Sequence, residues 1–165
     1  MLGLRLALRS AAVRRFRAKG GWWVVAQGVL LAALAAAWVM WRDDWGAAAV
    51  AGGAALAGAG AALAGGGFLA LGEQVTPYPE PRPGTVLVRS GVYRLVRHPI
   101  YGGIVLGSAG ISLALGSWPG LLLAAALFGL FWLKSGFEER RLVARVAGYE
   151  AYREQVRRRL IPWVL

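Results

Sequence analysis

From Ile100 to Leu133 the chain runs for 34 residues without a charged side chain. As one straight helix this segment would be about 51 Å long, well beyond the ~30 Å hydrocarbon core of a bilayer. The run therefore has to fold back on itself. "GSWPG", Gly116 to Gly120, supplies the reversal, with Pro119 suited to the first turn of the helix that follows. Two further uncharged runs, Trp22 to Trp41 and Gly46 to Gly72, are each long enough to cross. The expectation is an all-α membrane protein of about four transmembrane helices, with a proline-rich loop between the second and third and an amphipathic helix at the C-terminal end.

Composition agrees and removes several alternatives. A chain of 165 residues that is 58% hydrophobic and holds 24 glycines is too apolar for an ordinary soluble domain, and residues 1–165 read as one membrane domain. With no cysteine and one histidine, disulfides, thiolate chemistry and a metal centre are not expected. The net charge of +11 raises the question of nucleic acid, but its distribution answers differently. Lys and Arg number six in residues 1–21, one in the 42–45 link, four in the 73–99 loop, none at the Gly116 turn and eight in 134–165. Four crossings place all but one on a single side. By the positive-inside rule both termini and the 73–99 loop are cytoplasmic, as in a bacterial-type inner membrane protein, with residues 1–21 a basic lead-in. The partners expected are the membrane and a lipid, not nucleic acid.

Trp22, Trp23, Trp38, Trp41 and Trp45 bracket the first span as interfacial anchors. The second span is nearly all Ala and Gly, which suits close helix contact and predicts a central, packed helix with Gly58 among its packed positions. Its end, Gly65 to Gly67, serves either helix packing or the close approach of a ligand.

The chemistry gathers at two places. In "YRLVRHPIYGG", Tyr93 to Gly103, Pro99 fits the first position of the third span and holds His98 in an extended, cap-like conformation. That helix start, with Arg97 beside it, suits an anion. At the far end of the same hairpin Lys134 and Glu138 stand at i and i+4 on one helix face, which continues through Arg141, Arg145, Tyr149 and Tyr152. Glu139 points about 100° away from Glu138, so the two carboxylates have different tasks. Because the third and fourth spans form a hairpin, His98, Tyr101, Lys134 and Glu138 converge at one membrane face.

"SGVYRLVRHPIYGG", followed by "EERRL" and then "GYEAYREQVRRRLIP", resembles the isoprenylcysteine carboxyl methyltransferase and phospholipid methyltransferase superfamily of integral membrane enzymes, over residues 65–162. The resemblance implies a methyltransferase that binds S-adenosylmethionine at the cytoplasmic membrane face without a Rossmann fold. It implies cofactor contacts from Thr85, Val86, Leu87 and Val88, from Tyr93, from His98, Pro99, Ile100 and Tyr101, and from Glu138, with Glu139 completing the acidic pair and Arg97 added as a carboxylate anchor. Catalytic candidates are His98, Tyr101 and Glu138. Lys134 stands where the prenylcysteine branch has a substrate-contacting arginine, and Gly65 to Gly67 is similar to a Gly-x-Gly cofactor motif of the phospholipid branch. The acceptor expected is lipid or lipidated: a prenylcysteine carboxylate first, a phosphatidylethanolamine amine as the alternative. A non-catalytic scaffold of the same fold is the reading from another class.

Overall fold

The structure, a computed structural model, describes residues 13–14 and 16–162. The basic lead-in expected over residues 1–21 lies mostly outside the described residues. The described residues form helices and loops with no strand. α1 spans Gly21–Met40, α2 Gly46–Leu71, α3 Pro99–Ala114, α4 Trp118–Arg145 and α5 Tyr149–Gln155. α1, α2 and α4 are long and apolar enough to cross a membrane, whereas α3 has 16 residues and reaches only about 24 Å.

The uncharged run reverses where expected. α3 closes at Leu115, Gly116 takes a left-handed φ of 61°, and α4 begins at Trp118 with Pro119 in its first turn. Ser117 caps α4 by accepting from Gly120 N, meeting one of the donors that a helix start leaves open. The same end holds the link between α1 and α2: Asp43 N donates to Leu115 O at 3.1 Å, and the Trp45 and Trp118 rings lie 5.0 Å apart. At the opposite end the start of α1 meets the proline-rich loop and the exit of α4, with Gly20 against Pro79 and Phe137 and Arg141 donating to Ala18 O. Residues 16–20, the 72–98 loop and the charged part of α4 therefore share one end of the bundle, as the charge count requires.

Helix packing departs from expectation in one respect. α3 packs against α2 on one side and α4 on the other, and α1 lies against α4. α2 is thus an edge helix rather than the central one. Its small residues do what such residues permit, on one face only: Cβ atoms at Gly53 and Gly103 would lie 2.5 Å from Gly110 O and Gly60 O respectively. Gly58 points away from this seam and meets nothing within 4 Å among the described residues. Of the tryptophans, Trp22 and Trp41 are more than half exposed near the two ends of α1, but Trp38 donates to Ser112 Oγ at 2.8 Å and links α1 to α3.

The C-terminal segment also differs. α4 does not carry its face through Tyr149; it stops at Val146, Gly148 adopts a φ of 77°, and the seven-residue α5 starts on a new axis. After α5 the chain runs extended under the hairpin. Arg97 N donates to Arg158 O and His98 N to Arg159 O, and Leu160 lies against Gly102 so closely that no Cβ fits there.

Candidate active site

His98 is the N-cap of α3, with Pro99 at the first helical position, and its backbone is non-helical but not fully extended, at φ −127° and ψ 66°. Pro99 is buried against Gly67 of α2, so this turn is fixed on three sides: by α2, by α4 and by the returning C-terminal segment.

α4 brings the two carboxylates to this turn from opposite sides. Glu138 Oε2 accepts from the Tyr101 hydroxyl at 2.8 Å and lies 3.9 Å from His98 Nδ1. Glu139 is buried and faces the other way, accepting from Arg97 Nε at 2.7 Å, from His98 Nε2 at 3.1 Å and from Arg159 at 3.4 Å. A carboxylate between two guanidiniums only accepts, so His98 Nε2 carries a hydrogen and Nδ1 is the nitrogen turned toward Glu138. His98, Tyr101 and Phe131 stack as nearly parallel rings, with centroids 5.5 Å and 4.6 Å apart.

Arg97, assigned to an anion from the sequence, is spent inside the protein. Its Nε and Nη2 donate to Glu139 and its Nη1 to Val156 O and Arg157 O. It locks the C-terminal return to α4, which uses four of its five N–H groups and leaves one on Nη2. Lys134 is buried completely, and its Nζ donates to Gln27 Oε1 at 2.6 Å and Pro77 O at 3.0 Å while lying 4.9 Å from the Tyr101 ring centroid. Both acceptors are neutral oxygens.

A cavity of about 290 Å³ opens between these groups, near the lower end of the roughly 300–1,000 Å³ of small-molecule pockets. Thr85, Val86, Leu87, Val88, Tyr93, Arg97, His98, Ile100, Tyr101, Lys134 and Glu138 all line it. Pro99 and Glu139 do not; they stand behind the wall and hold it. Gly65 to Gly67 also stand outside: Gly66 packs on Val92 and Gly67 on Ile100.

The proline-rich segment forms the roof. Val86 N donates to Gln74 Oε1 at 2.7 Å, the Thr85 hydroxyl donates to Arg82 O, and Glu80 accepts from Arg141 at 2.6 Å and from Arg145, tying the roof to the exit of α4. Burial alone would raise the Glu80 carboxyl; the Arg145 and Arg141 guanidiniums outweigh it and hold the group below its ordinary value.

Several wall residues fall outside the expected set, among them Gln27, Phe68, Ile104, Leu142, Tyr149 and Tyr152. Gln27 had a readable signal: it is the one polar side chain apart from tryptophan in an otherwise apolar span. Leu142 and Ile104 had none, because aliphatic residues on a helix look alike whether they face a cavity or a core.

The arrangement offers a half-open, largely apolar chamber lined by an ammonium, a carboxylate, a hydroxyl and an imidazole, at the charged end of the bundle. The family model described as phospholipid methyltransferase matches residues 48–149. No curated protein and no solved structure matches the chain.

Proposed function

From the premise that the chain belongs to the phospholipid methyltransferase family and is an integral membrane protein, we propose that it transfers a methyl group from S-adenosylmethionine to a lipophilic acceptor in the cavity at the start of α3. The observation that carries this reading is the convergence of His98, Tyr101, Lys134 and Glu138 on one chamber roofed by residues 75–88. The chamber fits the cofactor by its lining: apolar walls for a nucleoside, and Glu138 as the countercharge for an amino-acid ammonium.

The cofactor supplies a methyl group on a sulfonium, ready for in-line displacement. The protein's own part is orientation and the exclusion of water. Glu138, held by Tyr101, attracts a cationic group. The buried Lys134 ammonium has only neutral hydrogen-bond partners and so retains charge for an anion. Tyr101 is stacked with His98 and Phe131, which leaves Tyr93, also on the cavity wall, as the ring to face a cation. The roof shields one side of the half-open cavity from solvent. By the positive-inside rule this chamber faces the cytoplasm.

Lys134 favours an acceptor that carries a carboxylate, already a nucleophile at neutral pH, as a prenylated cysteine does. A second reading, N-methylation of a phospholipid amine, is favoured by the matched family and by His98 Nδ1 beside Glu138, an imidazole nitrogen placed to take the amine's proton. Incubating membranes that contain the protein with methyl-labelled S-adenosylmethionine separates the two. Base-labile label in the lipid fraction marks an ester, and base-stable label marks an amine. Failure of the purified protein to bind S-adenosylmethionine at high micromolar concentration overturns both and leaves a scaffold.

A further inference from the structure

Glu138 gives an amino-acid zwitterion a partner for its ammonium but none for its carboxylate. Three cations line the cavity: Arg82, Arg97 and Lys134. Arg97 is 8% exposed and committed to Glu139 and the C-terminal return. Lys134 is completely buried and held by Gln27 and Pro77 O. Neither presents an open guanidinium or ammonium to a ligand arriving from water.

Arg82 differs from both. It is exposed, and its Nη1 donates to Glu73 O at 2.8 Å. Among the described residues that is its one side-chain hydrogen bond, so four of its five N–H groups remain. The carboxylates of Glu73 and Glu80 form no ion pair with it, Glu80 being taken by Arg141 and Arg145. The bond to Glu73 O carries the side chain from the roof across to the end of α2, where Leu71, Gln74 and Val75 also line the cavity. The guanidinium therefore stands on the cavity's rim.

The local fold holds it there. Pro81 and Pro83 restrict the backbone on either side, Gly84 turns the chain at a φ of 81°, and Thr85 closes the turn by donating both its N–H and its hydroxyl to Arg82 O. With both ends of the side chain fixed, less freedom is lost when it meets a ligand. A second hollow, of about 380 Å³, lies against the same turn and shares Pro81, Arg82, Thr85 and Val146 with the first, with Arg145 on its own wall. Arg82 is the one cation common to both. Since Glu80 offsets only one of Arg141 and Arg145, this approach from the aqueous side stays positive and attracts an anionic group.

We propose that Arg82 binds the carboxylate of the amino-acid half of S-adenosylmethionine. This rests on the methyltransferase reading above. Glu138 and Arg82 then take one end of the zwitterion each, and Lys134 is left for the acceptor. The test compares wild type with Arg82→Met and Arg82→Gln in detergent, the glutamine retaining a donor for Glu73 O. Calorimetry gives the Kd for S-adenosylhomocysteine and for S-adenosyl-3-thiopropylamine, which keeps nucleoside and ammonium and lacks only the carboxylate. Both variants should bind S-adenosylhomocysteine about tenfold more weakly, the effect of one charge-assisted contact. The amine should bind the wild type about tenfold more weakly than S-adenosylhomocysteine does, and should not distinguish wild type from variant.

Unchanged affinity for S-adenosylhomocysteine in the variants overturns the proposal and leaves the methyltransferase reading intact; if transfer to a lipid acceptor falls all the same, the arginine serves an anionic headgroup instead. An equal loss for the amine also overturns it, since the roof rather than the carboxylate contact is then disturbed. So does a drop of several degrees in the unliganded melting temperature of both variants, which makes the arginine structural. A wild-type protein that binds no S-adenosylhomocysteine takes down the function and this inference together.

Discussion

Tyr101 and Glu138 lie 37 residues apart in sequence, and the tyrosine hydroxyl donates to the carboxylate at 2.8 Å, joining the first turn of α3 to the exit of α4. The bond leaves Glu138 on the cavity wall, about a quarter exposed, while its neighbour Glu139 is 3% exposed behind His98. Two adjacent acids thus face unlike surroundings, and their amide variants should behave in unlike ways.

Glu138→Gln should keep the fold, because no buried cation depends on it for a hydrogen bond. Affinity for S-adenosylmethionine should fall about tenfold or more, with the loss of one charge-assisted contact. Calorimetry on detergent-solubilised protein checks this, and an unchanged Kd with an unchanged melting curve removes Glu138 from the site.

Glu139→Gln should fail differently. The Arg97 guanidinium would stay buried with its countercharge gone, and breaking such a pair costs about 3–5 kcal/mol. Loss of folded protein after membrane extraction, without any cofactor present, is the expected result. Wild-type stability in this variant would show that Arg97 finds enough support from Val156 O and Arg157 O alone.

For Lys134, replacement by Met keeps the length and removes the charge. Since a buried ammonium is costly to desolvate and its partners Gln27 and Pro77 O are neutral, stability should stay within about 1 kcal/mol of wild type or improve. Transfer to a carboxylate acceptor should drop at least tenfold in kcat/KM. An unaltered kcat/KM would remove Lys134 from the acceptor site.

Helix packing gives a paired control. Gly60→Leu drives a side chain into the backbone at Gly103 and Gly107 and should cost about 3 kcal/mol or prevent accumulation. Gly58→Leu, two residues earlier, meets open space and should accumulate normally. Equal expression of the two in membranes would contradict the α2–α3 seam.

The roof should respond to acid. Glu80 is held below the ordinary carboxylate value in the folded protein, so its contribution is complete above the unfolded value and is lost as pH falls through the lower folded value. Limited proteolysis of residues 75–88 should therefore accelerate only on the acid side of the usual Glu titration. Glu80→Gln should be cleaved at the faster rate throughout; a pH-independent rate in wild type would show that the two arginines do not hold the roof.

Much of this was legible from local chemistry. The 34-residue uncharged run dictated a hairpin, Pro99 dictated the cap at His98, and the step of about 100° between Glu138 and Glu139 dictated separate partners. What escaped depends on contacts between distant segments. The extended return of residues 156–160 exists because Arg97 and His98 offer it backbone and guanidinium donors, and nothing in "VRRRL" announces that. Arg97 looked like a ligand-binding group because its partners lie 42 and about 60 residues away. α2 looked central because Ala and Gly permit close contact, but permission on every face is used on only one. The break at Gly148 was readable: a glycine between two helical patterns is a common stop.

The return of residues 156–160 beneath His98 has a consequence for biogenesis. Insertion of all the long helices still leaves the imidazole turn without its floor, since the backbone acceptors for Arg97 and His98 are carried by Arg158 and Arg159. A nascent chain threaded into the bilayer thus holds a half-built chamber until those arginines emerge from the ribosome, and maturation of the pocket is a late event on the lipid-water boundary rather than a by-product of translocation.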